Sequence, residues 1–122
     1  MQQQIEAYIN AYNNFDIEGM LATLHPGVEF RNVTNGETTH TTHGIAAFRE
    51  QAEQAVHYFS ERQQTIAHLQ LDEQQARAGI DYEAVLAIDL PNGLKAGQAL
   101  HLKGKSVFQF TNGLISSIED IS

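Results

Sequence analysis

Acid–base or nucleophilic chemistry needs a carboxylate, an imidazole, a thiol, a hydroxyl or a phenol, and this chain narrows that choice. It has no cysteine, which removes thiolate nucleophiles, disulfides and cysteine-ligated metals. No serine stands in a nucleophile-elbow pattern, and no glycine-rich phosphate loop follows a strand. Among the six histidines, His40 and His43 are the closest pair. On an extended segment i and i+3 point to opposite faces, and neither has an adjacent acidic ligand. A surface loop is expected there, and no metal site. His25 reads as a residue at a helix C-terminus, His57 as one suited to a helix dipole, and His101 as an outward strand residue. His68 has more chemical promise, since a strand histidine can enter a hollow. Its face stays open, because Ile66 and Leu69 compete to define the core side.

The strongest acid–base candidate lies near the end, in LHLKGKSVFQFTNGLISSIEDIS (100–122). Asn112-Gly113 between two alternating runs is a hairpin signal, because both residues accept the positive φ of a type I′ turn. Leu102, Gly104, Ser106, Phe108 and Phe110 share one face of the first run; His101, Lys103, Lys105, Val107 and Gln109 share the other. Ile118, Asp120 and Ser122 alternate with Ser117, Glu119 and Ile121 in the second. If Phe108 and Phe110 face the core, an acidic residue can be carried in beside them. A carboxyl in a dry hollow has its pKa raised toward neutrality and becomes a usable acid or base. The bland alternative for Asp120 is a strand-end aspartate, solvated or paired with a lysine.

These groups must be positioned by the elements that precede them. Ile5, Tyr8, Ile9 and Tyr12 recur at helical steps, which predicts an amphipathic helix over 3–14. Tyr8 on that face is either a hydrogen-bond donor to a ligand or a packed core tyrosine. Asp16 is a good N-cap for a second helix whose apolar face is Ile17, Met20, Leu21 and Leu24, with Pro26 ending it at His25. A short strand follows over 28–32, with Val28 and Phe30 on one face; Asn35-Gly36 turns it into a polar run, 37–42. Gly44 opens a third helix, with Ile45, Phe48, Ala52, Ala55 and Val56 at helical spacing. Strands are then expected over 63–71 and 76–89, the second alternating Ile80, Tyr82, Ala84, Leu86 and Ile88 against Asp81, Glu83 and Val85. Helices followed by a run of antiparallel strands make an α+β fold, with helices on one face of a curved sheet and a hollow between them.

With 122 residues the chain is expected to form one domain. Its fifteen acidic residues against seven basic ones give a net charge of −8, and no basic stripe offsets it, so nucleic acid is not an expected partner. The first residues, MQQQIEAYINAY, lack the basic and apolar regions of a signal peptide, and no run is long enough to span a membrane. A cytoplasmic protein without membrane contact is the expectation.

The segments IEAYINAYNNFDIEGMLATLHPGVEF, THGIAAF and GKSVFQFTNGLISSIEDIS, in that order and spacing, resemble the nuclear transport factor 2-like superfamily, particularly its SnoaL-like and ketosteroid-isomerase-like branches. The resemblance implies a cone-shaped α+β barrel, commonly a homodimer through the sheet, with an apolar pocket. Its implied ligand-binding lining is Phe30, Asn32, Tyr82, Ser106, Phe108, Phe110 and Ile118. Tyr8 falls where ketosteroid isomerases keep an oxyanion-hole tyrosine, Asn32 where they keep the aspartate base, and Ser106 where they keep a protonated aspartate. An asparagine accepts no proton and a serine is the weaker donor, so that mechanism is not expected. Asp120 resembles the acid–base aspartate that SnoaL-like proteins carry on the last strand, with Glu119 where a tryptophan is frequent. Two functions follow from the resemblance. One is binding of a hydrophobic small molecule; the other is a cofactor-free isomerase, cyclase or dehydratase using Asp120 with Tyr8 or His68. A dimeric module binding a protein partner is a third.

Overall fold

The computed structural model describes all 122 residues, Met1–Ser122. Helix α1 (Gln2–Asn13) leads to α2 (Ile17–Leu21), strands β1 (Leu24–Thr34) and β2 (Glu37–His43), and α3 (Ile45–Ala55). After a single 3₁₀ turn, Val56–Tyr58, come β3 (Phe59–Leu71), β4 (Gln75–Leu86), β5 (Ala99–Thr111) and β6 (Leu114–Ile121). This is the expected α+β architecture, a single curved six-stranded sheet of order β2-β1-β6-β5-β4-β3 with three helices. All neighbouring pairs are antiparallel except β1 and β6, which run parallel. No helix is long and apolar enough to cross a membrane.

The two Asn-Gly turns form as their chemistry requires. Asn35 and Gly36 have φ of 53° and 81°, Asn112 and Gly113 of 52° and 78°. Asp16 caps α2 by accepting from the Gly19 amide at 3.0 Å. One expectation fails here: α2 stops at Leu21, and Leu24 belongs to β1. Thr23 turns the chain by donating its hydroxyl to the Met20 carbonyl (2.7 Å), and its own carbonyl accepts the Ile115 amide (3.0 Å). Pro26, read as a helix stop, therefore sits inside a strand. It falls between Leu24 and Glu29, where the register with β6 slips, so its missing N–H breaks no ladder bond. β4 also ends early, at Leu86 rather than Asp89, because the Ala87 amide turns to the Tyr58 carbonyl (2.8 Å).

The core is one cluster between helices and sheet. Ile5, Tyr8 and Ile9 of α1, Met20 of α2, and Phe48 and Ala52 of α3 pack on Val28 and Phe30, Phe108 and Phe110, and Ile115 and Ile118. Alternation puts Arg31, Arg77, Val107 and Glu119 of the central strands on the outer face. Val107 lies there between Glu119 and Arg77, and Glu119 in turn pairs with Arg31. The centre of the outer face is thus not poor in charge, because the Arg31–Glu119–Glu29 cluster crosses it.

Candidate functional site

Register decides which polar groups meet. Across the central strands Asn32 of β1 pairs with Asp120 of β6, and Asp120 with Ser106 of β5. The three positions singled out from different segments thus form one row on the inner face. One step further in lies the row Phe30, Ile118 and Phe108. Within the first row the buried Ser106 hydroxyl donates to Asp120 Oδ1 at 2.6 Å. Burial pushes the Asp120 carboxyl up to about 6, and the Ser106 hydrogen bond holds it back from rising further. Asn32 turns its amide aside to the Thr39 hydroxyl at 2.8 Å and to that of Thr34 at 3.3 Å.

A cavity of about 210 Å³ opens beside this row, lined by Tyr12, Asn32, Gln64, Ile80, Tyr82 and Asp120, by Leu102, Lys103, Gly104, Lys105 and Ser106 of β5, and by Ile121 and Ser122. It lies where the pairing of β6 with β5 ends, at Ile121 opposite Lys105. Just past β6, the Ser122 amide bonds to the Val33 carbonyl of β1 (2.9 Å), while β5 continues along β4. Gly104 allows the close approach of the two strands there, since a β-carbon on it would lie 2.7 Å from the Ile121 carbonyl oxygen. A larger hollow of about 610 Å³ lies toward the start of β3, with Glu61 and Glu83 among its lining; Asp120 is not part of it.

The expected site residues therefore divide. Asn32, Ser106, Tyr82 and Asp120 reach the cavity. Phe30, Phe108, Phe110 and Ile118 do not line it; they are buried in the core, where Phe30 packs on Phe48 and Phe108 on Tyr8, both at 6.1 Å between ring centres. Tyr8 is likewise closed in between Phe48 and Phe108 and does not line the cavity. Burial raises its pKa, and the charge of Asp120 raises it further. His68 is not brought to Asp120. A bulge between Ile66 and His68 turns it to the outer face, where it is exposed and its ring covers Gly79. His40 is also a surface residue, bonded to Gln51 at 2.8 Å, but it and His43 lie in strand β2 opposite β1 and not in a loop.

Two further groups, Tyr12 at the cavity and Arg62 in the lining of the larger hollow, are not among the residues singled out from the sequence. Tyr12 and Tyr82 join their hydroxyls across the hollow at 3.0 Å. Arg62, only 6% exposed, lays its guanidinium 3.7 Å from the centre of the Tyr12 ring and 4.6 Å from that of Phe15. Its Nε donates to the Tyr12 carbonyl at 2.9 Å. Tyr12 carried a signal, lying one turn beyond Tyr8 on the same helix face; Arg62, at a change from helix to strand pattern, carried none.

Comparison with known proteins agrees with this architecture. The chain is similar in fold to a candidate polyketide cyclase from Xanthomonas campestris pv. campestris, at 21% identity and a TM-score of 0.85 over 99% of this chain and 88% of that one. It is also similar to TsrD from Streptomyces laurentii, at 18% identity and 0.79 over 98% and 84%. TerC, co-crystallised with polyporic acid, is similar at 18% identity and 0.76 over 98% and 88%. Each of these likenesses concerns the fold alone. No curated protein matches the chain in sequence. The SnoaL-like domain model matches residues 5–118, and the chain belongs to that family.

Proposed function

We propose that the chain works as a single SnoaL-like domain that binds a small, largely apolar organic molecule in the hollow beneath α1. The observation that carries this reading is a carboxyl, Asp120, held by a buried serine at the wall of a cavity bordered by tyrosines and Ile80. The cavity is below the ~300–1,000 Å³ common for drug-sized ligands, so the fitting molecule has one or two rings. That a fold neighbour, TerC, was co-crystallised with an organic acid supports the idea that this fold holds such molecules. A screen of one- and two-ring ketones and phenols by amide chemical-shift perturbation tests it. Shifts centred on Ser106, Asp120 and Tyr82 support it; shifts confined to other surfaces overturn it.

A second reading, acid–base catalysis by Asp120, is favoured by one observation, the rise of its pKa to about 6, which gives both protonation states near neutral pH. Ketosteroid isomerisation is not proposed, since Asn32 stands where the base would be. A cytoplasmic homodimer joined through the outer face of the sheet completes the proposal.

A further inference from the structure

Arg62 presents an unusual balance of charge. It is almost fully buried, it takes part in none of the chain's ion pairs, and its Nη2 has no hydrogen-bond partner. A buried cation without an anion is costly, and a guanidinium keeps its charge at any accessible pH. Part of that cost is met by the faces of Tyr12 and Phe15 and by the carbonyl at the end of α1. The rest of its field acts on the phenols in front of it. Its charge favours the ionised forms of Tyr8, Tyr12 and Tyr82, against the burial that raises all three.

The tyrosine pair is under-used in the same direction. Two phenols carry two protons, and one hydrogen bond between them uses only one. The remaining O–H is left to donate, and both residues line the cavity that also holds Asp120. A phenol that receives a hydrogen bond while it donates one is a stronger donor than an isolated phenol.

We propose that Tyr12 and Tyr82, backed by the buried charge of Arg62, form a binding site for an anionic oxygen: the phenolate or enolate oxygen of a one- or two-ring molecule. This rests on the hollow being a ligand site and names the chemistry it selects. The free phenol proton donates to the ligand's oxygen, Tyr12 and Tyr82 share the charge along their hydrogen bond, and Arg62 adds positive charge from behind the Tyr12 ring to that of Lys103 and Lys105 in the cavity lining. Arg62 touches no ligand in this arrangement and is a positioning residue. Asp120 is compatible with an anion nearby when protonated, and its ionisation opposes one.

The test uses para-nitrophenol, whose anion absorbs visibly, and nitrobenzene, a neutral molecule of similar shape, on the whole chain. Binding should favour the phenolate and lower the apparent pKa of the bound nitrophenol. Tyr82→Phe and Tyr12→Phe should each weaken phenolate binding about tenfold, the worth of a hydrogen bond to a charged oxygen, with nitrobenzene unchanged. Arg62→Met should abolish the pKa shift of the bound probe, and Asp120→Asn should keep or tighten phenolate binding. The tyrosine variants decide the matter if Arg62→Met does not fold. Equal loss of both probes on Tyr82→Phe, or unchanged preference in both tyrosine variants, overturns the oxyanion site. Binding of nitrobenzene without phenolate overturns it and leaves the hollow a ligand site. Binding of neither probe overturns both.

Discussion

Asp120 and Ser106 are bound to each other energetically as well as by geometry. The folded pKa of Asp120, about 6, lies above the ordinary value of 3.8, so the folded state holds the proton more tightly than the unfolded one. Stability is therefore greatest below the unfolded value and falls as pH climbs toward 6, by about 3 kcal/mol at one pKa unit per 1.36 kcal/mol. Asp120→Asn should remove that fall while keeping an acceptor for Ser106. Thermal melts are expected to show the variant more stable than the parent at pH 8, by several degrees, and equal to it near pH 3.5. A difference that does not change with pH would mean that Asp120 is solvated. Ser106→Ala acts in the opposite sense. Losing the hydroxyl that stabilises the carboxylate should move the Asp120 pKa further above 6, measurable by carboxyl NMR titration. It should also cost about 1 kcal/mol at neutral pH, more than under acid, where the carboxyl is already neutral.

Strand packing discriminates between two glycines of the sheet, Gly104 on the inner face of β5 and Gly79 on the outer face of β4. At Gly104 a methyl group would meet the Ile121 carbonyl at 2.7 Å, and backbone cannot swing away. Gly104→Ala should force β5 and β6 apart where they frame the cavity, costing about 1–3 kcal/mol in urea unfolding and altering ligand binding. At Gly79 the added carbon would meet only the ring of His68, which is exposed on a strand surface and free to rotate outward. Gly79→Ala should stay within about 0.5 kcal/mol of the parent. The pair also marks how far the sequence could be read. Alternation set the faces of β5 and β6 correctly because Phe108, Phe110 and Ile118 are unambiguous. It left His68 open because a bulge after Ile66 changes the phase, and no residue type announces a bulge there. Pro26 misled for a related reason: its preference ends helices, yet a slip in register accommodates it within a strand. Tertiary pairing, absent from local pattern, decided both.

At the scale of the whole molecule, the hollow follows from curvature, and the fold class was legible because helices come first and long alternating strands last. What the order of elements does not contain is the parallel pairing of β1 with β6, which brings Asn32 beside Asp120 from 88 positions away and builds the polar row. Arg62 was hidden for the same cause: its role depends on the end of α1 coming to rest on β3, where Asn13 and Gln64 also exchange hydrogen bonds of 2.7 and 3.1 Å. The outer face remains to be used. Its charges are largely satisfied within the chain, Arg31 by Glu29 and Glu119, which lowers the cost of covering them. Half-buried Val33, Val107 and Ile121 supply apolar area around them. A second copy docking there would bury this mixed surface about a two-fold axis, as symmetric interfaces do. Light scattering should then give twice the 13.6 kDa chain mass at micromolar concentration. Val107→Glu, which adds a charge with no partner at the centre of that face beside Glu119, should halve it without lowering the helical and strand content seen by circular dichroism. A parent that scatters as 13.6 kDa, or a Val107→Glu variant that still doubles it, would remove the outer face as the contact between copies.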